Sequence, residues 1–265
     1  MEAGRNAFRG QGNTPAGIRP LLGRGKNVRA LVRPTTDVSR LESRGVEIAR
    51  GDMLDGDSLV AAMNGVDAII TIAAGHTRGG KDAHDIDTVG NASLAEAAHR
   101  TIRRFVLTSI LTSDQTPQVP HFWHKKIAED KLEQLGVPFV ALHPGAFLDQ
   151  IASMAGDPVD KGRLIRVGKT TVPLTFVHTS DLAAYLAAAV DAGDGERIDI
   201  GWDRPVSMRE VADVLGSRAG KKIKVWAAAT SPTPAGRGSC SARSPRLRTS
   251  SAGTPTSWAA SRVHR

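Results

Sequence analysis

Arg104-Phe-Val-Leu-Thr-Ser109, His121-Phe-Trp-His-Lys-Lys126 and Phe139-Val-Ala-Leu-His-Pro-Gly-Ala-Phe147 decide how the chain is read. Two short apolar runs, each closing on polar, Gly or Pro residues, flank a segment of helical period. That is the pattern of a strand, a crossover helix and a second, parallel strand. On the N-terminal side the same alternation repeats. Residues 27–33 read as a strand closed by Pro34, 38–44 as a short helix stopped by Gly45, and 46–49 as a strand. A helix beginning near Asp57 follows, with Leu59, Val60 and Met63 as its apolar side and Gly65 as its stop. Residues 66–72 form another strand, running into the small-residue turn Ala73-Ala-Gly75. Beyond a charged, Gly-rich loop at 76–85, a helix carries Ile86, Val89, Leu94, Ala97 and Ala98 on its inner side. Strands alternating with helices at this rhythm predict an α/β fold with a doubly wound parallel sheet and right-handed crossovers.

On the C-terminal side the elements are smaller. Strands are expected at 164–167, 172–177, 197–200 and 222–226, and helices at 181–190 and 207–215, the second opened by a capping box of Ser207 and Glu210. They predict a small C-terminal substrate lobe, about residues 150–226, over the carboxyl ends of the sheet. Residues 18–22 open a short helix. Ahead of them, residues 1–17 hold no apolar run long enough for a buried strand, Ala7-Phe8 being the best candidate, so the first strand is read as degenerate or missing. From about Ala227 the chain turns to Ala, Ser, Thr, Pro, Gly and Arg, the composition of a disordered basic tail. The expected organisation is a degenerate segment at 1–17, one domain over 18–226 and a tail at 227–265.

Hydrophobic residues make up 40% of the 265, enough for a sizeable core. No apolar run reaches membrane-spanning length and no signal pattern opens the chain, so the expected compartment is the cytoplasm, with no membrane partner. The single cysteine, Cys240, excludes an internal disulfide framework and a thiolate zinc cluster. The net charge of +8 is concentrated at the ends. Residues 231–265 carry six arginines and no acid, and residues 1–29 carry five arginines, Lys26 and one acid, Glu2, leaving a body of −3. A mildly acidic body argues against a nucleic-acid-binding domain.

In a doubly wound sheet, ligands sit beyond the carboxyl ends of the strands. Arg33, after the second strand of such a sheet, suits the 2′-phosphate of NADP, where an acid would take the ribose of NAD; its alternative is a solvated arginine before a turn. Asp52, with Met53 beside it, could approach the adenine, or Asp52 could cap the turn at Gly51. Ala73, Ala74 and Gly75 let a ligand approach the backbone, or make a tight packing turn. Ser109, Thr112 and Ser113 could bind a ribose or a substrate carbonyl, or cap turns. Pro144 closes the last apolar run, and Gly10 and Gly12 belong to a loose Gly-x-Gly-x(4)-Gly with Gly17. Lys126 could bind the nicotinamide ribose hydroxyls, or pair on the surface with Asp130 or Glu129. His121 and His124 lie one turn apart without a third ligand, so no metal site is read. His143, His178 and Trp123 line a pocket or pack.

In their order and spacing these motifs resemble the atypical short-chain dehydrogenase/reductases, in particular the NmrA-like group. The carriers are Val28-Arg-Ala-Leu-Val-Arg-Pro34, Gly45-Val-Glu-Ile-Ala-Arg-Gly-Asp52, Gly65-Val-Asp-Ala-Ile-Ile70, Arg104-Phe-Val-Leu-Thr-Ser109, Lys126-Ile-Ala-Glu129, His143-Pro-Gly-Ala-Phe147 and Phe176-Val-His-Thr-Ser-Asp-Leu-Ala183. The likeness covers about residues 18–226 and implies NADP, or NAD, in a Rossmann-type site. Three features depart from the family. Its opening strand and Thr-Gly-Ala-Thr-Gly-x-x-Gly turn are reduced to Gly10-Gln-Gly12-Asn-Thr-Pro-Ala-Gly17. Its Tyr-x-x-x-Lys reads Phe122-x-x-x-Lys126, which keeps a ribose ligand and removes the acid/base. The basic tail replaces the ordinary ending, and both ends read as frame errors in a GC-rich gene.

Two functions follow as expectations. One is an NADPH-dependent reductase of a small organic substrate, quinone- or aldehyde-like, with water or a side chain such as His124 supplying the proton. The other is a non-catalytic NADP-sensing protein that changes protein partners with redox state.

Overall fold

A computed structural model of the chain describes residues 2–3, 18–75, 84–99, 102–153, 156–167 and 172–228. The chain divides at Ala229/Thr230 into two units, the second of which lies outside the described residues. In chain order the first unit comprises β1 (Glu2–Ala3), α1 (Ile18–Gly23), β2 (Arg29–Val32), α2 (Ser39–Glu42), β3 (Glu47–Arg50), α3 (Gly56–Met63) and β4 (Ala68–Thr71). A π-helical segment, His84–Gly90, leads into α4 (Asn91–Ala98), β5 (Arg104–Thr108), α5 (Pro120–Gln134), β6 (Phe139–Pro144) and β7 (Ala146–Phe147). Then come α6 (Leu148–Ser153), α7 (Pro158–Lys161), β8 (Arg163–Val167), β9 (Phe176–Val177), α8 (Thr179–Ala189), β10 (Glu196–Ile200), α9 (Met208–Ala219) and β11 (Lys224–Ala228).

Seven strands form one sheet in the order β10-β6-β5-β4-β1-β2-β3, with every pair parallel. This is the doubly wound arrangement expected from the sequence, extended at one edge. Alternation along each strand feeds two cores on opposite faces. Phe105, Leu107, Phe139, Ala141, Ile69 and Leu31 face α3, α4 and α5, where Leu59, Leu94 and Leu132 complete a cluster. Val106, Val140, Leu142, Ile70 and Val32 face α1, α2 and α8, with Ile18, Leu41, Leu182 and Leu186. Strands buried on both faces read as continuous apolar runs, which is why β5 and β6 were legible as strands.

The glycines expected to stop α2 and α3 do so in the left-handed region, Gly45 at φ +74 and Gly65 at φ +72. Val60 and Val89, expected on inner faces, are 61% and 40% exposed. Val89 is turned out because the segment expected as one helix begins with a π turn, whose carbonyls at Ile86 and Asp87 are bonded by the Asn91 side chain at 3.3 and 3.0 Å. The strand expected at 172–177 is shorter, Phe176–Val177, with an isolated bridge from Leu174 to Val206.

The degenerate first strand is two residues long. Glu2 and Ala3 pair with Ala30 and Leu31 on one side and Ile70 and Thr71 on the other. Ala7-Phe8 lies outside the described residues. Within the expected lobe, α8 and β10 instead join the main sheet, β10 pairing with β6 so that Arg197 faces Ala141. The other C-terminal elements have their own core of Leu164, Phe176, Val206, Met208, Val211 and Ile223. The expected capping box of Ser207 and Glu210 opens α9, and Ala227 and Ala228, assigned from sequence to the tail, continue β11.

Candidate functional site

The strand order reverses between β1 and β4, so the crevice beyond their carboxyl ends is where this topology places a ligand. Gly10 and Gly12 lie outside the described residues. Arg33 follows β2 on a turn shaped by the Arg50 guanidinium, which donates to the carbonyl oxygens of Pro34 at 2.7 Å and Thr36 at 3.4 Å. Asp52 follows β3; its Oδ1 accepts from Leu54 N at 3.1 Å and its own amide donates to Ser58 Oγ at 3.1 Å, the turn-capping geometry weighed from the sequence. Met53 packs against Gly90, where an added Cβ would lie 2.6 Å from Met53 Cε. Ala73 and Gly75 are buried beyond β4, with Ala74 exposed between them.

The helix α5 directs Lys125 toward this crevice. Pro120 sits in its first turn, where a missing amide costs nothing. Its buried residues Lys125, Ala128, Glu129 and Leu132 recur at i, i+3, i+4 and i+7, one stripe facing the sheet. Lys125 Nζ donates to the Ala73 carbonyl at 2.6 Å and lies 2.9 Å from Asp87 Oδ1. The second contact is off the line of a hydrogen bond, so it is an ion pair only. Asp87, 1% exposed, accepts from Gly75 N through Oδ2 at 3.3 Å. One ammonium and one carboxylate therefore tie α5 and the π segment to the turn after β4. His121 precedes Lys125 by four residues and so shares its helix face. Its ring lies edge-on to Phe122, with centroids 4.7 Å apart.

One turn deeper, Glu129 is fully buried and accepts from Ser109 Oγ at 2.5 Å, His143 Nε2 at 3.0 Å and Arg197 Nε at 2.9 Å. Arg197 also reaches Glu133, and His143 Nδ1 lies 3.2 Å from Asp199 Oδ1. Burial opposes ionisation of Glu129, but the hydrogen bonds from His143 and Ser109 outweigh it and hold the carboxyl below the usual range. Burial likewise opposes protonation of His143, and the bond to Glu129, with the charges of Glu129 and Asp199, holds its imidazole above the usual range. An ion network with all partners satisfied clasps α5 to β5, β6 and β10.

The sequence-expected residues divide accordingly. Ala73, Gly75 and Asp52 line the strand ends. Lys126 is turned away from the stripe and pairs with Asp130, the surface alternative. The Ser109 hydroxyl is committed to Glu129, and Pro144 is buried in β6. His124 Nδ1 is 2.7 Å from Thr88 Oγ1, and its ring meets that of His84 edge-on. Sequence reasoning missed Lys125, Asp87 and Arg197, and it offered Glu129 as a surface partner of Lys126, whereas Glu129 is fully buried. The stripe Lys125, Ala128, Glu129, Leu132 was the available signal, because its apolar members choose which of two adjacent lysines faces inward.

These residues fit a dinucleotide. Nothing larger than a methyl stands at Ala73 to Gly75, a buried ammonium lies beside that turn, and Arg33 offers a cation beyond β2. The chain is 25% identical over 176 residues to the photosystem II assembly factor Ycf39 of Synechocystis sp., covering 66% of this chain and 54% of that one. It is 23% identical over 200 residues to the NAD(P)H azoreductase of Xenophilus azovorans, covering 74% and 66%. The chain thus spans about half the length of several curated relatives it matches, including Ycf39 of Cyanophora paradoxa at 53%. Among solved structures, the NADPH-dependent quinone oxidoreductase of Escherichia coli complexed with NADPH superposes with a TM-score of 0.67 at 18% identity, covering 80% of this chain and 74% of that one. Triphenylmethane reductase of Citrobacter sp. complexed with NADP(H) gives 0.67 at 20% identity, with the same coverage. The NAD(P)H-binding family matches residues 12–192, from ahead of α1 to just past α8, and the chain belongs to that family.

Proposed function

We propose that the protein is an NADPH-dependent reductase of a small organic substrate, quinone- or aldehyde-like, of the NmrA-like group and acting in the cytoplasm. The observation that carries this reading is Lys125, a buried ammonium at the carboxyl end of β4 with a histidine one turn before it on the same helix face. Lys125 would hold the ribose beside the nicotinamide, Ala73 to Gly75 would border the ring, and Arg33 would take the 2′-phosphate. When bound, the reduced cofactor supplies a hydride. The protein must supply the proton that turns the substrate oxygen into a hydroxyl, and the imidazole of His121, one turn before Lys125 on α5, would donate it. Asp87 and the Ala73 carbonyl keep the Lys125 ammonium in place, so its position does not depend on the substrate. Quinone reduction is supported by the name of one structural neighbour and azo reduction by that of one relative.

A second reading is a non-catalytic NADP-sensing protein. It is favoured by the lack of a phenol on α5: the chain's one tyrosine, Tyr185, is exposed on α8, which packs on the opposite face of the sheet. Oxidation of NADPH against a panel of quinones and aldehydes separates the two. Turnover that falls about a hundredfold or more in His121→Phe supports the reductase with His121 as proton donor. Absence of turnover with every substrate, with NADPH still bound, supports the sensor.

A further inference from the structure

The C-terminal lobe carries a groove that takes no part in the nucleotide crevice. It has a volume of about 390 Å³ and lies between α9 and β11. Arg209, Asp213 and Ser217 line one wall at four-residue spacing, a single face of α9, and residues 221–226 line the other. Ile223 and Val225 pack toward α9, so Lys224 and Trp226 point to the opposite side of the strand. No residue of β8 borders it, so it opens along the side of β11 away from β8.

Among the described residues, that side of β11 has no backbone partner. Among the described residues β11 pairs with β8 alone. Lys224 N donates to Gly162 O at 3.0 Å, so the even-numbered residues of the strand face β8. The alternation of a parallel ladder then turns the N–H and C=O of Val225 and Ala227 outward.

Charge narrows the class of occupant. Arg209, Lys221, Lys222 and Lys224 face one acid, Asp213, and none of the four makes an ion pair among the described residues. Cations of the sheet contrast with them: Arg104 pairs with Asp194 and Arg197 with Glu129. Arg163 adds a further positive charge 5.5 Å from the Trp226 ring, which is half exposed. Unneutralised cations around an apolar side chain and an open strand edge suit an acidic, extended peptide. The chain's own residues 231–265, with six arginines and no acid, have the wrong sign for this groove, in this copy or a second one. Nucleic acid would satisfy the cations but has no backbone to match a strand edge.

We propose that the groove binds an acidic segment of a partner protein, laid as an added strand on β11, with its carboxylates on the side of Lys222, Lys224 and Trp226 and its alternate, apolar side chains on the α9 side beside Val225. This does not rest on the nucleotide reading. The test uses the full chain and three fluorescent probes followed by anisotropy: a peptide alternating Glu or Asp with Val, its counterpart alternating Lys with Val, and an oligouridine. The acidic peptide should bind, the basic one should not, and K222E/K224E should weaken the acidic peptide about tenfold or more. Both lysines are exposed, so the variant should keep the wild-type melting temperature. Bound peptide should also slow amide exchange at Val225 and Ala227. Failure of the acidic peptide to bind overturns the proposal. So does equal binding by K222E/K224E, which would assign the peptide to the arginine-rich C-terminus. Oligouridine binding that falls in the variant while peptide binding does not would also overturn it, in favour of a nucleic-acid site.

Discussion

Among the described residues, replacing Lys125 by Met removes the one cation beside Asp87, which is 1% exposed and keeps only the Gly75 amide as a donor. Breaking a buried ion pair by deleting one partner leaves an uncompensated charge and costs about 3–5 kcal/mol. For a domain of this size that corresponds to a fall in Tm on the order of 10 °C. The Ala73 carbonyl loses its donor in the same variant. The neighbouring substitution Lys126→Met breaks an i,i+4 pair with Asp130 whose side chains are 25% and 43% exposed, an interaction worth only about 0.3–0.5 kcal/mol. Urea unfolding should therefore separate two adjacent lysines by several kcal/mol. Adding Asp87→Asn to Lys125→Met should recover much of the loss, because the stranded charge is then gone. Titration with NADPH should show affinity lost in Lys125→Met and retained in Lys126→Met. Equal effects of the two lysines on stability and on affinity would refute the assignment of Lys125 to the inward face.

Two further outcomes follow from the site. Arg33→Asp should move the ratio of NADP to NAD affinity toward NAD on the order of ten- to a hundredfold, the worth of a charge-assisted bond to phosphate, as read by parallel calorimetric titrations; an unchanged ratio rejects the role of Arg33. The Glu129–His143 pair sets two pH limits. The carboxyl, lowered from 4.5, contributes stability that is complete above that value and is lost as pH falls through its depressed pKa. The imidazole, raised from 6.5, contributes stability that is complete below that value and is lost as pH rises through its elevated pKa. Tm measured against pH should thus peak between 4.5 and 6.5, and His143→Gln should flatten the alkaline side. An alkaline side of unchanged slope in that variant would contradict the pairing.

The parts of the fold legible in the sequence were those fixed by local patterns. β5 and β6 are apolar runs because a parallel strand is buried on both faces, and Gly45 and Gly65 mark helix ends because only the left-handed region closes them cheaply. β1 was not legible, since two residues carry no period and Glu2–Ala3 is a strand only by virtue of β2 and β4 on either side. β10 was misplaced for a similar reason: its sequence reads as a short strand, and only its pairing with β6 shows which sheet it joins. Arg33, Asp52 and Ala73 to Gly75 were placed beyond strand ends by the sequence alone, because strand ends are known once strands are. Lys125 was missed because the spacing from Phe122 pointed to Lys126, whereas the buried stripe through Ala128 and Leu132 points to its neighbour. The Glu129 network joins residues 14, 20 and 68 positions apart, and no local pattern announces such contacts.

This chain, with its two-residue first strand, should hold a reduced dinucleotide in the crevice beyond β1 and β4. Calorimetric titration of the full chain with NADPH and with NADH tests it most directly. Saturable binding of NADPH, tighter than that of NADH, is the predicted result; no heat with either nucleotide would contradict it.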